Sequence, residues 1–272
     1  MQVGGGAILG PGAIVDCNVT LLHELGAGGI QMALDDIRIV LIEPAHPGNI
    51  GAVARAMKTM ALSHLALVRP RHFPSEEADR RAMGSIDILR DARVSDSLDE
   101  AIGDCKLVIG GSARTRKFPH SILDARQCAA RLMEETTGGE PAALIFGPER
   151  SGLANQDLDR CSYQVLIPTS EAFSSLNLAS AVQLVCYEIF LAANEPRSRG
   201  TAVPVESASS QHELEYFYEH LERALDTRGY LDGEMRQVTM MKLRRLFGRA
   251  RPRPGDLKML HSFARFIHRD GD

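Results

Sequence analysis

The chain has 272 residues, 44% of them hydrophobic and 24% charged, with 5% aromatics and no Trp. That length supports one full core and a smaller second unit, and the net charge of −4 argues against a generic nucleic-acid binder. Five cysteines (Cys17, Cys105, Cys128, Cys161 and Cys186) form no CxxC pair. They suggest neither a disulfide framework nor a zinc site and point to a reducing cytoplasm, while no apolar run has the length of a membrane span.

Residues 1–31 are Gly-rich, nearly uncharged and without a sustained period, so they are expected to be an extension outside the fold. From Asp36 onward the pattern is regular. Short apolar runs at 37–43, 64–68, 106–111, 142–147 and 164–168 read as buried strands. Amphipathic stretches at 50–60, 97–103, 122–135 and 177–193 read as the helices between and after them. This alternation predicts an α/β domain over 32–195 with a mainly parallel sheet. Such sheets place ligands at the carboxyl ends of strands, so chemistry is expected in the loops after Glu43, Val68, Gly111, Gly147 and Pro168.

Residues 196–210 have the Pro, Ser and Gly content of a linker. Three further helical patterns then make a small unit over 211–272. Charge is uneven along the chain. Residues 76–104 carry nine acids against four arginines, whereas 236–269 carry ten Lys or Arg and one acid, Asp256. The basic segment reads either as a phosphate-binding footprint or as a solvated helical face.

Three loops carry unusual residues. In "EPAHPGNIGAVARAMKTM", Asn49 and Arg55 stand on a helix otherwise built of small and apolar residues. Such an Arg is either a structural ion-pair partner or an anion ligand near a helix start. "LIFGPERSGL" makes a tight turn that displays Glu149 and Arg150. It lacks the Gly-Lys-Ser/Thr ending of a Walker loop, and no GxGxxG joins a strand to a helix. "IPTSEAFSSLNLASA" places Ser174, Ser175, Leu176 and Asn177 before a hydrophobic helix, where an N-cap alone would account for the polar residues. With "VIGGSARTRKF", three strand ends carry small, backbone-exposing turns, which suit a flat, partly apolar ligand such as adenine with a methionine tail.

"NIGAVAR", "LIFGPERSGL" and "IPTSEAFSSLNLASA", in that order and each at a strand end, resemble the three motifs of the SpoU/TrmH branch of the SPOUT RNA methyltransferases. "GGSARTRKFPHSILDAR" and "MKLRRLFGRARP" resemble the TrmJ type, whose members methylate the ribose of tRNA nucleotide 32. The resemblance runs from about Ile37 to the C-terminus. It implies a C-terminal trefoil knot in the sheet domain, a homodimer, tRNA as partner and S-adenosylmethionine as cofactor, with no metal.

By motif, the cofactor would be held by Gly111, Ser112, Ala113, Gly147, Ile167, Ser174, Ser175 and Leu176. Gly111 stands where relatives often carry Thr, a departure that could cost a hydrogen bond. The reactive centre would be Arg55, with Asn49 and Glu149 orienting it and Ser175 and Asn177 completing it. The family's arginine is proposed as a base, yet a guanidinium stays protonated. Gripping a phosphate and stabilising an alkoxide is the alternative role. Arg244, Arg245, Arg249, Arg251 and Arg253 would contact RNA. A related enzyme with another RNA target, and a non-catalytic RNA-binding protein, are the competing readings.

Overall fold

The structure, a computed structural model, describes residues 34–112, 121–136, 139–172, 175–195 and 207–269. The extension at 1–31, most of the expected linker, Ala113 and Ser174 lie outside the described residues. The first half of the sheet domain runs β1 (Ile37–Ile42), α1 (Pro47–Thr59), β2 (His64–Val68), α2 (Glu76–Ala82), α3 (Ile86–Arg90), β3 (Arg93–Ser95) and α4 (Leu98–Ile102). The second half is β4 (Leu107–Gly111), β5 (Ser121–Leu123), α5 (Ala125–Thr136), β6 (Ala142–Phe146), α6 (Asn155–Leu158), β7 (Tyr163–Val165) and α7 (Leu178–Asn194). Then α8 (Gln211–Thr227), α9 (Gly233–Ala250) and α10 (Pro254–Arg269) form the helical unit.

The seven strands form one parallel sheet in the order β3-β2-β1-β6-β4-β7-β5. Side chains alternate across it, as the pleat requires. Ile37, Ile39 and Leu41 pack with α1, α5 and α7 on one face, and Val40 and Ile42 pack with α4 on the other. Burial on both faces explains why the central strands read as unbroken apolar runs. The five expected strands are present, each within three residues of its predicted ends. β3 and β5 escape a reading by pattern because each has three residues, two of them exposed, at a sheet edge. β7 lies between β4 and β5.

Helix α1 begins at Pro47, three residues earlier than predicted. Pro and Gly there look like a turn, but Pro lacks an N–H that the first helical turn would leave unpaired anyway. Gly51 lets α1 touch α2, since a Cβ there would sit 2.1 Å from Ala78 O. The acidic segment is resolved into short helices with acids in their first turns. Ser75 accepts from Glu77 N at 3.2 Å and Ser97 from Glu100 N at 3.1 Å. Acids near these starts complement the helix dipole.

The helical unit has its own core of Leu214, Phe217, Tyr218, Leu231, Met240 and Leu257. It is fixed to the sheet domain through backbone. At the start of α8, Gln211 N donates to Cys105 O and His212 N to Gly103 O, both at 3.0 Å. Carbonyls of the sheet domain thereby satisfy amides that a helix leaves unpaired in its first turn. Ser209 is buried and donates its N–H to Pro252 O at 2.9 Å, so the last residues of the expected linker are packed.

Between α8 and α10, His220 and His261 bring their Nδ1 atoms to 2.8 Å with stacked rings. A hydrogen bond there needs one neutral acceptor nitrogen. Burial, then His261, Arg223, Arg265 and His268, hold His220 below the usual imidazole range; burial, then Arg265, does the same for His261. A folded pKa below the unfolded one means the unfolded chain takes up protons first. The pair's contribution is therefore present above about pH 6.5 and lost as pH falls. We expect the melting temperature to fall between pH 7 and pH 5, and His261→Gln to flatten that dependence. Circular dichroism melts across the range check it, and an equal slope in the variant would count against the pair.

Candidate active site

A cavity of about 250 Å³ opens at the carboxyl ends of β4, β6 and β7. Gly111 and Ser112 line it from β4, Phe146 through Gly152 from β6, Val165, Ile167 and Thr169 from β7, and Ser175, Leu176, Leu178 and Ala181 from the start of α7. Three of the five loops singled out in the sequence meet here, and the loop after Glu43 joins from behind. Of the expected cofactor residues, Gly111, Ser112, Gly147, Ile167, Ser175 and Leu176 line one cavity.

Two glycines shape its walls for different neighbours. A Cβ on Gly147 would lie 2.3 Å from Gly152 C and 2.4 Å from Leu153 N, so this turn closes on itself backbone to backbone. A Cβ on Gly111 would lie 2.6 Å from the Phe146 ring. A side chain at Gly111 would therefore have to displace that ring. Backbone groups and small residues leave the walls mixed in character, apolar at Phe146, Val165, Ile167 and Leu176 and polar at Ser112, Thr169 and Ser175.

At the rim, Glu149, Asn49 and Asn177 form a hydrogen-bonded chain whose direction is fixed at both ends. The Glu149 carboxylate only accepts. It takes Asn49 Nδ2 at 2.9 Å, Ala45 N at 3.0 Å and His46 N at 3.3 Å. Asn49 therefore turns its Oδ1 outward, and Asn177 Nδ2 donates to it at 3.1 Å. Asn177 Oδ1 in turn accepts from Ala179 N at 2.9 Å and Ser180 N at 3.4 Å, capping α7. Partial burial pushes the Glu149 carboxyl up, but the Asn49 amide and the backbone N–H groups outweigh it and hold it below the usual range. Glu149 is consequently an ionised anchor at neutral pH. One residue from each of three motifs is joined, and the N-cap reading of Asn177 holds together with its place at the site.

Arg55 does not join this chain, contrary to the expectation that Asn49 and Glu149 orient it. Six residues along a helix is one and two-thirds turns, which rotates Arg55 about 120° away from Asn49. Its side chain is exposed, and Nη1 meets Met83 Sδ at 3.8 Å. Nor is it the buried ion-pair partner that so apolar a helix suggested. Arg150, displayed from the Gly147–Gly152 turn, lines the cavity with an exposed side chain. The sequence displayed it without giving it a role.

The five arginines expected to meet RNA divide into two groups. Arg244 pairs with Glu215 and lies over the Tyr218 ring, Arg245 pairs with Asp159 at 3.2 Å, and Arg251 pairs with Glu135. Arg245 and Arg251 thus clamp the helical unit to the sheet domain, and all three have side chains less than one-fifth exposed. Each of the three is offset by a carboxylate that the fold brings from outside the basic segment. Arg249 and Arg253 are exposed. Among the described residues, no group of three or more His, Cys, Asp or Glu is placed to hold a metal ion.

A model of the SpoU rRNA methylase family matches residues 36–187, and one of the tRNA methyltransferase TrmJ C-terminal domain matches residues 212–271. The tRNA (cytidine/uridine/adenosine-2'-O-)-methyltransferase TrmJ of Pseudomonas aeruginosa is 45% identical over 225 residues, 80% of this chain and 88% of its own. The tRNA (cytidine/uridine-2'-O-)-methyltransferase TrmJ of Pectobacterium atrosepticum is 43% identical over 245 residues, 88% of this chain and 99% of its own. Among solved structures, TrmJ from Z. mobilis ZM4 superposes with a TM-score of 0.75 at 31% identity, covering 85% of this chain and 99% of its own.

Proposed function

The chain belongs to the SpoU rRNA methylase family, and from that premise we propose that it is an S-adenosylmethionine-dependent tRNA 2'-O-methyltransferase acting on nucleotide 32 of the anticodon loop, on cytidine or uridine. The observation that carries this reading is the Glu149–Asn49–Asn177 chain on the rim of a cavity built from three strand ends. The likeness to the two TrmJ enzymes, which extends through the helical unit, supports tRNA over ribosomal RNA as substrate.

The cavity fits the cofactor in kind. Its apolar walls suit adenine, and glycine-lined backbone at Gly111 and Gly147 allows close approach. Gly111, Ser112, Gly147, Ile167, Ser175 and Leu176 would hold it, joined by Ala113 and Ser174 from the same motifs. When bound, S-adenosylmethionine supplies an electrophilic methyl group on a good leaving group. The protein then has to align a ribose hydroxyl, let its proton leave as the O–CH3 bond forms and stabilise the charge that builds on oxygen. Glu149 fixes Asn49, and Asn49 fixes Asn177, so the amides at the rim are rigid before RNA arrives. Ser175, on the cavity wall two residues before Asn177, completes the acceptor side. Arg55, exposed on another face of α1, would grip a phosphate of the target and stabilise the developing alkoxide, a role that needs no deprotonation.

The assembly is a cytoplasmic homodimer whose sheet domain carries a trefoil knot. Leu184, Tyr187 and Leu191 give α7 an exposed apolar stripe at i, i+3 and i+7, which supports pairing through that helix. The placement of β7 between β4 and β5 supports that knot. No helix among the described residues is long and apolar enough to cross a membrane.

The test is purified protein with S-adenosylmethionine and unmodified tRNA transcripts, followed by mass spectrometric mapping of 2'-O-methyl groups. Methylation at nucleotide 32 is the expected result. Methylation at another tRNA position, or of ribosomal RNA alone, would overturn the assignment of the site.

A further inference from the structure

Helix α10 has two apolar faces. Leu257 and Ala264 are buried on the inner one. On the opposite side, Met259, Phe263 and Phe266 stand 54%, 57% and 66% exposed at i, i+4 and i+7. None of these three belongs to the core of the helical unit. A helix usually meets solvent with polar residues there, so two exposed phenylalanines on one stripe need a reason.

The charge beside the stripe gives one. Lys258 and Arg265 are exposed on the flank between the stripe and α8, and neither forms an ion pair among the described residues. Arg265 Nη2 donates to Ser262 Oγ at 3.2 Å. The acid of α10, Asp256, is in the first turn on the same side as Met259 and Phe263, at i, i+3 and i+7, and its carboxylate accepts from Arg253 N at 2.9 Å. Arg244, Arg245 and Arg251, by contrast, are neutralised by carboxylates. We propose that the outer face of α10 is a stacking platform for an unpaired stretch of the tRNA substrate, with bases on Phe263 and Phe266 and phosphates on Lys258 and Arg265.

The proposal rests on tRNA being the substrate. Aromatic faces flanked by free cations match a single strand, which offers flat bases and a phosphate at each step. A second copy of the chain fits less well. A two-fold contact through this face would set Lys258 and Arg265 beside their own counterparts, with Asp256, already engaged by Arg253 N, as the single acid of α10. The stripe also accounts for what the clamped arginines leave open, namely where the basic segment meets RNA.

The test uses full-length protein and three variants: Phe263→Ala/Phe266→Ala, Phe263→Leu/Phe266→Leu and Lys258→Ala/Arg265→Ala. All the changed side chains are exposed, and circular dichroism and sedimentation check fold and oligomeric state. Loss of two stacking rings should weaken tRNA binding at least about tenfold. The Leu variant, which keeps apolar area without a π face, should recover little of it. Removing the two cations should lower the slope of log affinity against log salt by about 1.4, the value for two single-strand phosphate contacts. S-adenosylmethionine affinity and turnover at saturating tRNA should be unchanged. Wild-type affinity and salt slope in the Ala variants would overturn the platform, as would full recovery by the Leu variant. Loss of affinity that tracks a change in sedimentation would assign the face to a second copy instead. If the wild-type protein methylates no tRNA, the functional assignment fails, a result separable from a wild type that methylates tRNA while its variants bind it equally.

Discussion

Arg55→Ala should melt like the wild-type protein, bind S-adenosylmethionine with the same affinity and lose methyl transfer by about 100-fold or more, the usual cost of removing a group that stabilises transition-state charge. The structure makes this a clean experiment. Arg55 is exposed, and its guanidinium meets only a thioether at 3.8 Å among the described residues, so truncation breaks no ion pair and opens no core cavity. Surface changes of that kind stay within about 0.5 kcal/mol. Arg55→Lys separates charge from shape. Lysine keeps the positive charge but not the planar fork that matches a phosphate, so an intermediate rate is expected. Single-turnover rates with saturating cofactor and tRNA measure both. Retention of more than about a tenth of the wild-type rate in Arg55→Ala would remove this residue from the centre of the reaction.

The distance between Arg55 and the rim shows where reading a sequence stops. Motif spacing places Asn49 and Arg55 on one helix, and both were legible as unusual on an apolar background. The 120° between them follows from the helical repeat, but which of the two faces Glu149 depends on how α1 packs against the turn after β6. That contact joins residues 100 apart in the chain. The central strands, the cavity at their carboxyl ends and the cap at Asn177 were legible because each depends on local pattern. The edge strands β3 and β5 were not, since three residues carry no period.

The basic segment was legible as charge but not as a surface. Counting Lys and Arg cannot show that Asp159 and Glu135 wait on the sheet domain to receive Arg245 and Arg251. Nor can it show that Phe263 and Phe266 of α10 are exposed, since that requires knowing which face of the helix is buried.

The second large effect is expected at Gly147, where the requirement is space rather than charge. A methyl group on Gly147 would stand 2.3 Å from Gly152 C, 2.4 Å from Leu153 N and 2.6 Å from Gly152 O, all backbone atoms that cannot rotate away. Relief requires the two stretches to separate by about 1 Å, and displacements of that size at a site cost about 100-fold in rate. The stretch that must move carries Glu149, so the Asn49 and Asn177 amides would lose their fixed end as well. Gly147→Ala should therefore bind cofactor poorly and transfer methyl groups at about a hundredth of the wild-type rate or less. Gly152 supplies the control within the same turn. Its φ of +67° disfavours a side chain, yet a Cβ there meets nothing within 4 Å. Gly152→Ala should cost about 1–2 kcal/mol of stability, the penalty for a left-handed residue, with cofactor binding retained in the folded protein. Calorimetric titration with S-adenosylmethionine, alongside thermal melts, distinguishes the two. Equal cofactor affinity in Gly147→Ala and wild type would show that the turn can open without disturbing the cavity, and the close packing of this turn would then have no part in holding the ligand.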